Sequence, residues 1–311
     1  MIYSWFFLAV LAPLLWGLVN HADRFLLSHQ KHGTGVGSIL IFSSVFAVFL
    51  LIYITLIRGV DVGIINFRDI LSLILIGALG VLAFFLYLSA LETEETSIVI
   101  PFLQIGPVFG FLLGYVFLGE TLSLNQIMAS LLILSGVSIL SFEFDVDNNI
   151  KLKKTMLLLM IGASFFFALN DTLFKVMALQ DSFWISSFWQ YVGVIISGLV
   201  IFVVSKKYRE QFLNMFRQNS IKVLSVNVIS EFLYLVGNLA SNFAMMLAPV
   251  ALVLVVSSYQ PLFVFIIGVL LTTFFPKVAT EKLTKKHLVQ KMISIVIIVI
   301  GSYLLYSTQI S

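Results

Sequence analysis

The sequence predicts an all-α polytopic membrane protein, in which ten transmembrane helices form two inverted five-helix repeats. Three observations lead to this fold class. The composition is strongly apolar, ten apolar stretches are each about long enough to cross a bilayer, and one motif recurs in both halves of the chain.

The composition indicates that the chain folds in a membrane. Of its 311 residues, 60% are apolar and 11% are charged, and the mean hydropathy is +1.08. A soluble domain is about 45–50% apolar and about 25% charged. The chain therefore has too little polar surface to cover its core in water, which excludes a soluble globular enzyme. It contains no cysteine, which excludes disulfides, thiolate metal sites and cysteine nucleophiles.

Ten apolar stretches approach the length of about 20 residues that a transmembrane helix needs. Leu157 to Leu169 and Ile293 to Ile300 are apolar on nearly every face, whereas the strands of a membrane barrel alternate apolar and polar residues. The first stretch lacks the features of a signal peptide, so it is expected to be retained as a helix. Numbered in chain order, the predicted spans are approximately 4–27, 36–57, 70–91, 96–118, 123–142, 155–178, 183–205, 222–247, 249–275 and 288–307.

An internal repeat divides the chain into halves, 1–149 and 150–311. The longest polar interruption, residues 143–154, follows span five. The pattern P-x-F-x-F-x-x-G runs from Pro107 to Gly114 and recurs, 154 residues later, from Pro261 to Gly268. Because each half has an odd number of spans, the second half enters the membrane from the opposite side. Many secondary transporters have this inverted plan, with the substrate site near mid-membrane between the repeats.

Several residues also resemble a known family. They are Trp16-Gly17, Asn20 and Arg24 in span one, Phe167-Ala168 and Lys175 at the same spacing in span six, and Ser97 to Gly114 leading into Leu118-Gly119-Glu120. Over essentially its full length the chain resembles the drug/metabolite transporter superfamily, specifically its ten-helix EamA-type members. The resemblance implies an inner-membrane exporter or importer of small metabolites. It also implies a central cavity lined by helices one, three, four, six, eight and nine, and it names no substrate.

The distribution of basic residues predicts the orientation. Fifteen of the 18 Lys and Arg residues adjoin the odd-numbered connections, which include the loops around Lys206 to Lys222 and Lys277 to Lys291. Short basic loops stay in the cytoplasm, so both termini are predicted to be periplasmic. Members of the resembled family more often have cytoplasmic termini, and for this chain the charge distribution decides the prediction.

Span eight carries the clearest polar stripe in an apolar helix. The helical spacing places its members on one face, and such a face indicates either a water-filled cavity or hydrogen bonds to neighbouring helices. The members are Asn227, Glu231, Tyr234, Asn238, Ser241 and Asn242. Glu231 has no basic residue within four positions along the helix. An ionisable residue at membrane depth is a site candidate, so Glu231 is predicted to be the counter-ion of a cationic substrate group or the carrier of a coupling proton. The alternative is a protonated Glu231 that bonds a neighbouring helix.

Span six offers a second carboxylate, Asp171, as a substrate-binding or proton-carrying residue. Lys175 lies four residues further on, so an Asp171–Lys175 ion pair within the helix is an equally good interpretation. The remaining candidates for substrate binding are polar or aromatic residues within other spans or beside Asp171: Trp16, Asn20, His21, Gln104, Asn170, Tyr259 and Gln260.

Pro107 and Pro261 lie inside predicted spans and are interpreted as hinges. A proline within a helix leaves the carbonyl four residues back without its hydrogen bond. The carbonyls of Leu103 and Ser257 are therefore expected to be free to bind a substrate amine, or the prolines simply kink their helices.

The sequence thus predicts a secondary active transporter of a small polar metabolite, such as an amino acid or an amine, that works by alternating access. It is expected in the bacterial inner (plasma) membrane as a monomer or homodimer, with no cofactor, catalytic residue, metal site or nucleic-acid partner. The four histidines lack metal-ligand spacing, and no Walker A motif occurs. Two alternatives stay open: a flippase for a lipid-linked sugar or phosphate on the same fold, and an intramembrane enzyme or scaffold.

Overall fold

The computed structural model describes residues 4–29, 35–92, 99–141, 154–218, 221–274 and 285–307. These residues form twelve helices and no strand. The second helix ends in a π-helical segment, Tyr53–Ile57, and a 3₁₀ helix, Ile100–Ile105, precedes the fourth. The helices are α1 Ser4–His29, α2 Val36–Ile57, α3 Phe67–Leu91, α4 Gly106–Leu118, α5 Leu124–Ser141, α6 Lys154–Gln180, α7 Phe183–Val204, α8 Lys206–Gln218, α9 Ile221–Leu247, α10 Val250–Ser257, α11 Gln260–Phe274 and α12 Lys285–Ser307. The polar segment predicted to separate the halves lies outside the described residues, apart from Lys154.

The helices confirm the predicted membrane class. Within the described part of the chain, eight segments are long and apolar enough to cross a bilayer: α1, α2, α3, α6, α7, α9, α12 and the segment Val250–Phe274, which comprises α10 and α11. The segments Phe102–Leu118 and Leu124–Leu140 are apolar but shorter. Outward faces carry exposed large apolar side chains, among them Leu56, Phe67, Val116, Val204 and Tyr303. Lipid solvates such a surface and water does not, so this is a multi-pass membrane protein.

Helices α3 and α7 cross at two glycines. A Cβ atom on Gly77 would overlap the backbone oxygen of Gln190, and one on Gly193 would overlap that of Ile74. The absence of side chains at both positions lets the two backbones touch. This crossing brings Gln190 of α7 close to the interior faces of α3 and α6.

Helix α8 lies in a segment that the sequence analysis treated as a loop. Its aromatic rings contact the ends of three spanning helices: Tyr208 meets Phe85 of α3, Phe212 meets Phe202 of α7, and Phe216 meets Phe42 of α2. The segment is too short and too basic to be recognised as a span. The three- and four-residue spacing of its apolar residues is typical of an amphipathic helix.

The two motif prolines begin helices instead of interrupting them, which corrects the sequence prediction. Pro107 is the second residue of α4 and Pro261 is the second residue of α11. Proline is tolerated in a first helical turn, where its missing N–H would have no helical partner. The Leu103 carbonyl is not freed, because it accepts a hydrogen bond from the N–H of Gly106.

Candidate functional site

A cavity of about 280 Å³ lies at the centre of the bundle. Residues near the middle of α1, α6, α7 and α9 line it. The rest of the wall is formed by α2, α3, α10 and the segments that meet at Pro107 and at Pro261. The resemblance implied six lining helices. The structure adds the helices of spans two and seven, namely α2 and α7.

Ten of the twelve predicted substrate-binding residues line this cavity: Trp16, Asn20, Gln104, Asn170, Asp171, Glu231, Tyr234, Asn238, Asn242 and Gln260. The structure does not bring the other two to the cavity wall. The His21 ring bonds the Val264 carbonyl of α11 at 2.9 Å, and the Tyr259 hydroxyl bonds Ser302 of α12 at 2.5 Å. Both side chains connect neighbouring helices.

The polar stripe of α9 faces the cavity for most of its length. Glu231 is buried, and its carboxylate accepts a hydrogen bond from the Ser43 hydroxyl of α2. Asn238 shares a side-chain hydrogen bond with Tyr191 of α7. Asn227 lies outside the cavity, and its amide donates to the Met215 sulfur of α8 at 3.3 Å, as expected for a residue that only links helices.

Asn170 connects three helices at the cavity wall. Its amide nitrogen donates to the Ile76 carbonyl of α3 at 2.6 Å, and its oxygen accepts from Gln190 of α7 at 3.3 Å. The next residue, Asp171, also lines the cavity. No hydrogen bond or ion pair joins the Asp171 carboxylate to another described residue. Asn170 therefore fixes this turn of α6, while Asp171 remains open to a ligand.

Aromatic rings form one side of the cavity. Phe84 of α3 stacks on Tyr234 of α9, with ring centroids 5.7 Å apart and an interplanar angle of 23°. Phe84 also stacks on Tyr87, with centroids 6.2 Å apart and an angle of 17°. We call Phe84, Tyr87 and Tyr234 the aromatic wall.

Several polar atoms at the cavity are buried without a hydrogen-bond partner among the described residues. They are Nε1 of Trp16, Nδ2 of Asn20, Oε1 of Gln104, Oε1 of Gln190 and Oγ of Ser257. Leaving a buried polar group unsatisfied costs about 1–3 kcal/mol. Donors and acceptors are both present, so a polar ligand or water in this cavity would satisfy them.

Lys175 pairs with Glu120 and not with Asp171, which overturns the ion pair within span six. Its ammonium contacts the Glu120 carboxylate at 2.5 Å and the Ala248 carbonyl at 2.7 Å. The second Glu120 oxygen accepts the N–H of Val250, the first residue of α10, at 2.8 Å. This buried pair thus ties α6 and the end of α4 to the junction between α9 and α10.

The backbone at Gly119 explains how Glu120 reaches this position. Gly119 ends α4 in the left-handed conformation, with φ of 65°, which glycine adopts without strain. The chain reverses there, and the N–H of Glu120 bonds the Gly114 carbonyl. The Glu120 carboxylate then lies against Gly114, where a Cβ atom would come within 2.7 Å of it.

Comparisons with known proteins agree with this fold. Residues 3–142 match the EamA-like transporter family, which belongs to the drug/metabolite transporter superfamily. The match covers slightly less than half of the chain, and it is this part that is similar to the family. Members of that family are transporters and not enzymes. Among curated proteins, none matches the chain.

The chain also has the fold of a solved structure, described only as the crystal structure of a protein. The two are 16% identical and superpose with a TM-score of 0.71 over 97% of this chain and 96% of the other. At that identity the likeness extends to the fold alone. It covers both halves of the chain, including the half that the family match does not reach.

Sequence reasoning missed several polar contributors to the cavity, among them Ser43, Ser164, Gln190 and Tyr191. Gln190 and Tyr191 lie near the middle of span seven, so the signal that selected Gln104, an amide within a span, would have found Gln190. A serine in an apolar span is common in helix packing. Nothing in the sequence separates Ser43 from the other serines.

We expect Lys175→Met to destabilise the protein strongly. It leaves the buried Glu120 carboxylate without its cation, and removing one partner of a buried ion pair costs about 3–5 kcal/mol. The measurement is the melting temperature of the purified protein in detergent.

Lys206→Met provides the matched control for this variant. Lys206 and Glu210 are 3.9 Å apart with side chains 80% and 58% exposed, and such surface pairs contribute about 0–1 kcal/mol. Its melting temperature should stay near that of the parent. If Lys175→Met and Lys206→Met lower the melting temperature equally, the buried pair does not stabilise the fold more than a surface pair does.

Proposed function

We propose that the protein is a secondary active transporter that moves a small polar metabolite, such as an amino acid or an amine, by alternating access. The observation that carries this proposal is the central cavity, where polar side chains from eight predicted spans converge inside an apolar bundle. Polar groups at membrane depth are expensive unless they line a wet path or pair with one another. Glu231 and Asp171 are the candidates for a coupling proton.

Helix breaks at equivalent positions support the inverted-repeat arrangement of ten spans, 1–149 and 150–311. Helix α4 begins one residue before Pro107, and α11 begins one residue before Pro261, at the same point of the repeated motif. Transporters with inverted repeats commonly bind substrate where such discontinuous helices meet. Both breaks border the cavity.

The cavity favours a transporter over a flippase for a phosphate-bearing lipid. A phosphate would call for basic side chains, and no Lys, Arg or His is among the described residues that line the cavity. An intramembrane enzyme or scaffold would not exchange a solute across a bilayer, so a transport measurement distinguishes it.

Counterflow in proteoliposomes tests the function. Vesicles loaded with one unlabelled solute should accumulate the same labelled solute, with amino acids, amines, nucleosides and sugars tested in turn. Asn238→Trp places a large ring in the cavity and should abolish counterflow, whereas Leu199→Trp changes a side chain that is 61% exposed on the outer face of α7 and should not. The proposal fails if no solute shows counterflow, or if the Asn238 variant transports at the parental rate.

The orientation proposal predicts a labelling pattern. The native chain has no cysteine, so one cysteine replacing exposed Asp61, between α2 and α3, and one replacing exposed Lys207 report the two membrane faces separately. With periplasmic termini, an impermeant maleimide should label the Asp61 variant in intact bacteria. It should label the Lys207 variant only after permeabilisation. The reverse pattern would mean that the orientation is inverted.

Pro107 and Pro261 are proposed as equivalent hinges. Pro107→Ala and Pro261→Ala should slow counterflow several-fold with little change in the half-saturating solute concentration, because hinge residues absorb backbone rotation during gating. Alanine at Pro13, which lies inside α1 and outside the repeated motif, is the comparison. If both variants transport at the parental rate, the two prolines only begin their helices and do not act as hinges.

A further inference from the structure

We infer that helix α8 binds the headgroups of acidic phospholipids at the membrane surface. The basic side chains that α8 exposes, Lys206, Lys207 and Arg217, hold the lipid phosphate. Its exposed apolar side chains, Leu213 and Phe216, contact the adjoining acyl chains. The inference goes beyond the proposed transport function and does not depend on it.

Helix α8 lies at the level where the apolar surface of the bundle ends. The last two residues of α7, Val203 and Val204, are 63% and 78% exposed, so this helix faces lipid up to its end. Only Ser205 separates α7 from α8. Beyond α8, two residues lead to Ile221, the first residue of α9, which is 83% exposed. Such short connections cannot carry α8 far into the water, so both of its ends stay beside the hydrocarbon boundary.

Contacts with the bundle hold α8 in place. Besides the three ring contacts described above, the side chain of Gln211 accepts a hydrogen bond from the N–H of Gly37, in the first turn of α2, at 3.0 Å. The absence of a side chain at Gly37 lets Tyr208 pack directly on α2, because a Cβ atom there would overlap it. The side chains that α8 leaves exposed are therefore held at a fixed place on the membrane surface.

The charges of α8 are mostly positive. The helix contains four basic residues and one acidic residue. Arg209 is engaged by the bundle, since its guanidinium donates to the carbonyls of Phe202 and Val203, at the end of α7, at 3.4 and 3.3 Å. The other three basic residues are exposed. A basic residue close to an acidic membrane surface strengthens binding about fivefold, so these three give α8 a preference for acidic lipid.

Two carboxylates accompany this positive surface and leave its net charge positive. Glu210 lies 3.9 Å from Lys206, but both side chains are largely exposed, and such exposed pairs are weak. Glu92, just after α3, accepts a hydrogen bond from the N–H of Val36, the first residue of α2, at 3.4 Å. A lipid phosphate can therefore compete with Glu210 for the ammonium group of Lys206.

A shallow groove along α8 places the two lysines beside neutral hydrogen-bond donors. The residues that line the groove are Lys206, Lys207, Glu210, Gln211 and Asn214. Ammonium and amide N–H groups both donate to phosphate oxygens. The groove thus offers a phosphate two charges and two amide groups on one face of a single helix.

The exposed apolar residues of α8 favour a lipid over a free phosphate or an acidic protein. Leu213 and Phe216 are 37% and 48% exposed on a helix that lies beside the hydrocarbon boundary. A helix that exposes basic and apolar side chains together is typical of membrane-surface helices. An acidic phospholipid supplies both the negative headgroup and the acyl chains at this depth.

Lipids that differ only in their headgroups test the inference in the unaltered protein. Dioleoylphosphatidylglycerol and dioleoylphosphatidylcholine are added in turn to the purified protein in detergent, with inorganic phosphate and polyglutamate as anions without acyl chains. A ligand that binds only the native state raises the melting temperature in a concentration-dependent manner. We expect phosphatidylglycerol to reach its half-maximal effect at a concentration roughly tenfold or more below that of phosphatidylcholine. This difference should shrink between about 0.1 M and about 1 M salt, because salt screens exposed charges.

Neutral variants then locate the lipid site. The double variant Lys206→Gln/Lys207→Gln should weaken phosphatidylglycerol binding roughly tenfold or more, because each lysine contributes about fivefold. The matched control, Arg58→Gln/Arg68→Gln, also removes two exposed basic residues, at the other end of α2 and at the start of α3. It should bind phosphatidylglycerol as the parent does. If the α8 variant fails to fold, the headgroup and salt series on the parent protein still decide.

Three results would overturn the lipid assignment. Phosphatidylcholine could raise the melting temperature at the same concentrations as phosphatidylglycerol, which would mean that the headgroup charge is not recognised. Inorganic phosphate or polyglutamate could raise it as much, which would indicate a free anion or an acidic protein as the partner. The α8 variant could bind phosphatidylglycerol with parental affinity, which would place the lipid elsewhere. None of these results bears on counterflow, which tests the transport proposal separately.

Discussion

The structure depends on one constraint: hydrocarbon offers no hydrogen-bond partner to a polar group. Each polar side chain of the spanning helices must therefore find a partner inside the bundle or face water there. The crossing of α3 and α7 shows the consequence, because the two glycines bring the backbones close enough for Asn170 to bond Ile76 and Gln190 at once. The same contacts therefore pack the helices together and give the buried polar side chains their hydrogen-bond partners.

The Lys175–Glu120 pair is the strongest example of this constraint. Its three polar contacts join segments that are distant in the sequence, and each depends on the local backbone. Gly119 reverses the chain so that Glu120 faces inward, and the junction after α9 supplies the Ala248 carbonyl and the Val250 N–H. A lysine without these partners would have to reach the membrane surface. The pair therefore holds together one end of the bundle, where α4, α6, α9 and α10 meet.

The spacing of residues along one helix predicted which side chains share a helical face. The helical spacing of polar residues in span eight identified Glu231, Tyr234, Asn238 and Asn242 as a cavity face, because period alone places them on one side. The partner of Lys175 could not be predicted in this way. Glu120 lies 55 positions away in the sequence, whereas Asp171, only four positions away, is the ion-pair partner that helical spacing suggests. The prolines were assigned to helix interiors because hydropathy does not show where one helix stops and the next begins.

The polar groups inside the bundle fall into two classes, and the proposed transport function would require both. His21, Asn170, Lys175 and Tyr259 bond fixed groups on neighbouring helices, so they would resist exchange with water. Trp16, Asn20, Gln104 and Ser257 direct atoms without partners towards the cavity. Atoms of the second class can bond solute and water in turn without breaking a helix contact. In the proposed transport cycle, the cavity must bind and release the solute, which requires groups of the second class. The helix bundle must also stay folded throughout the cycle, which requires groups of the first class.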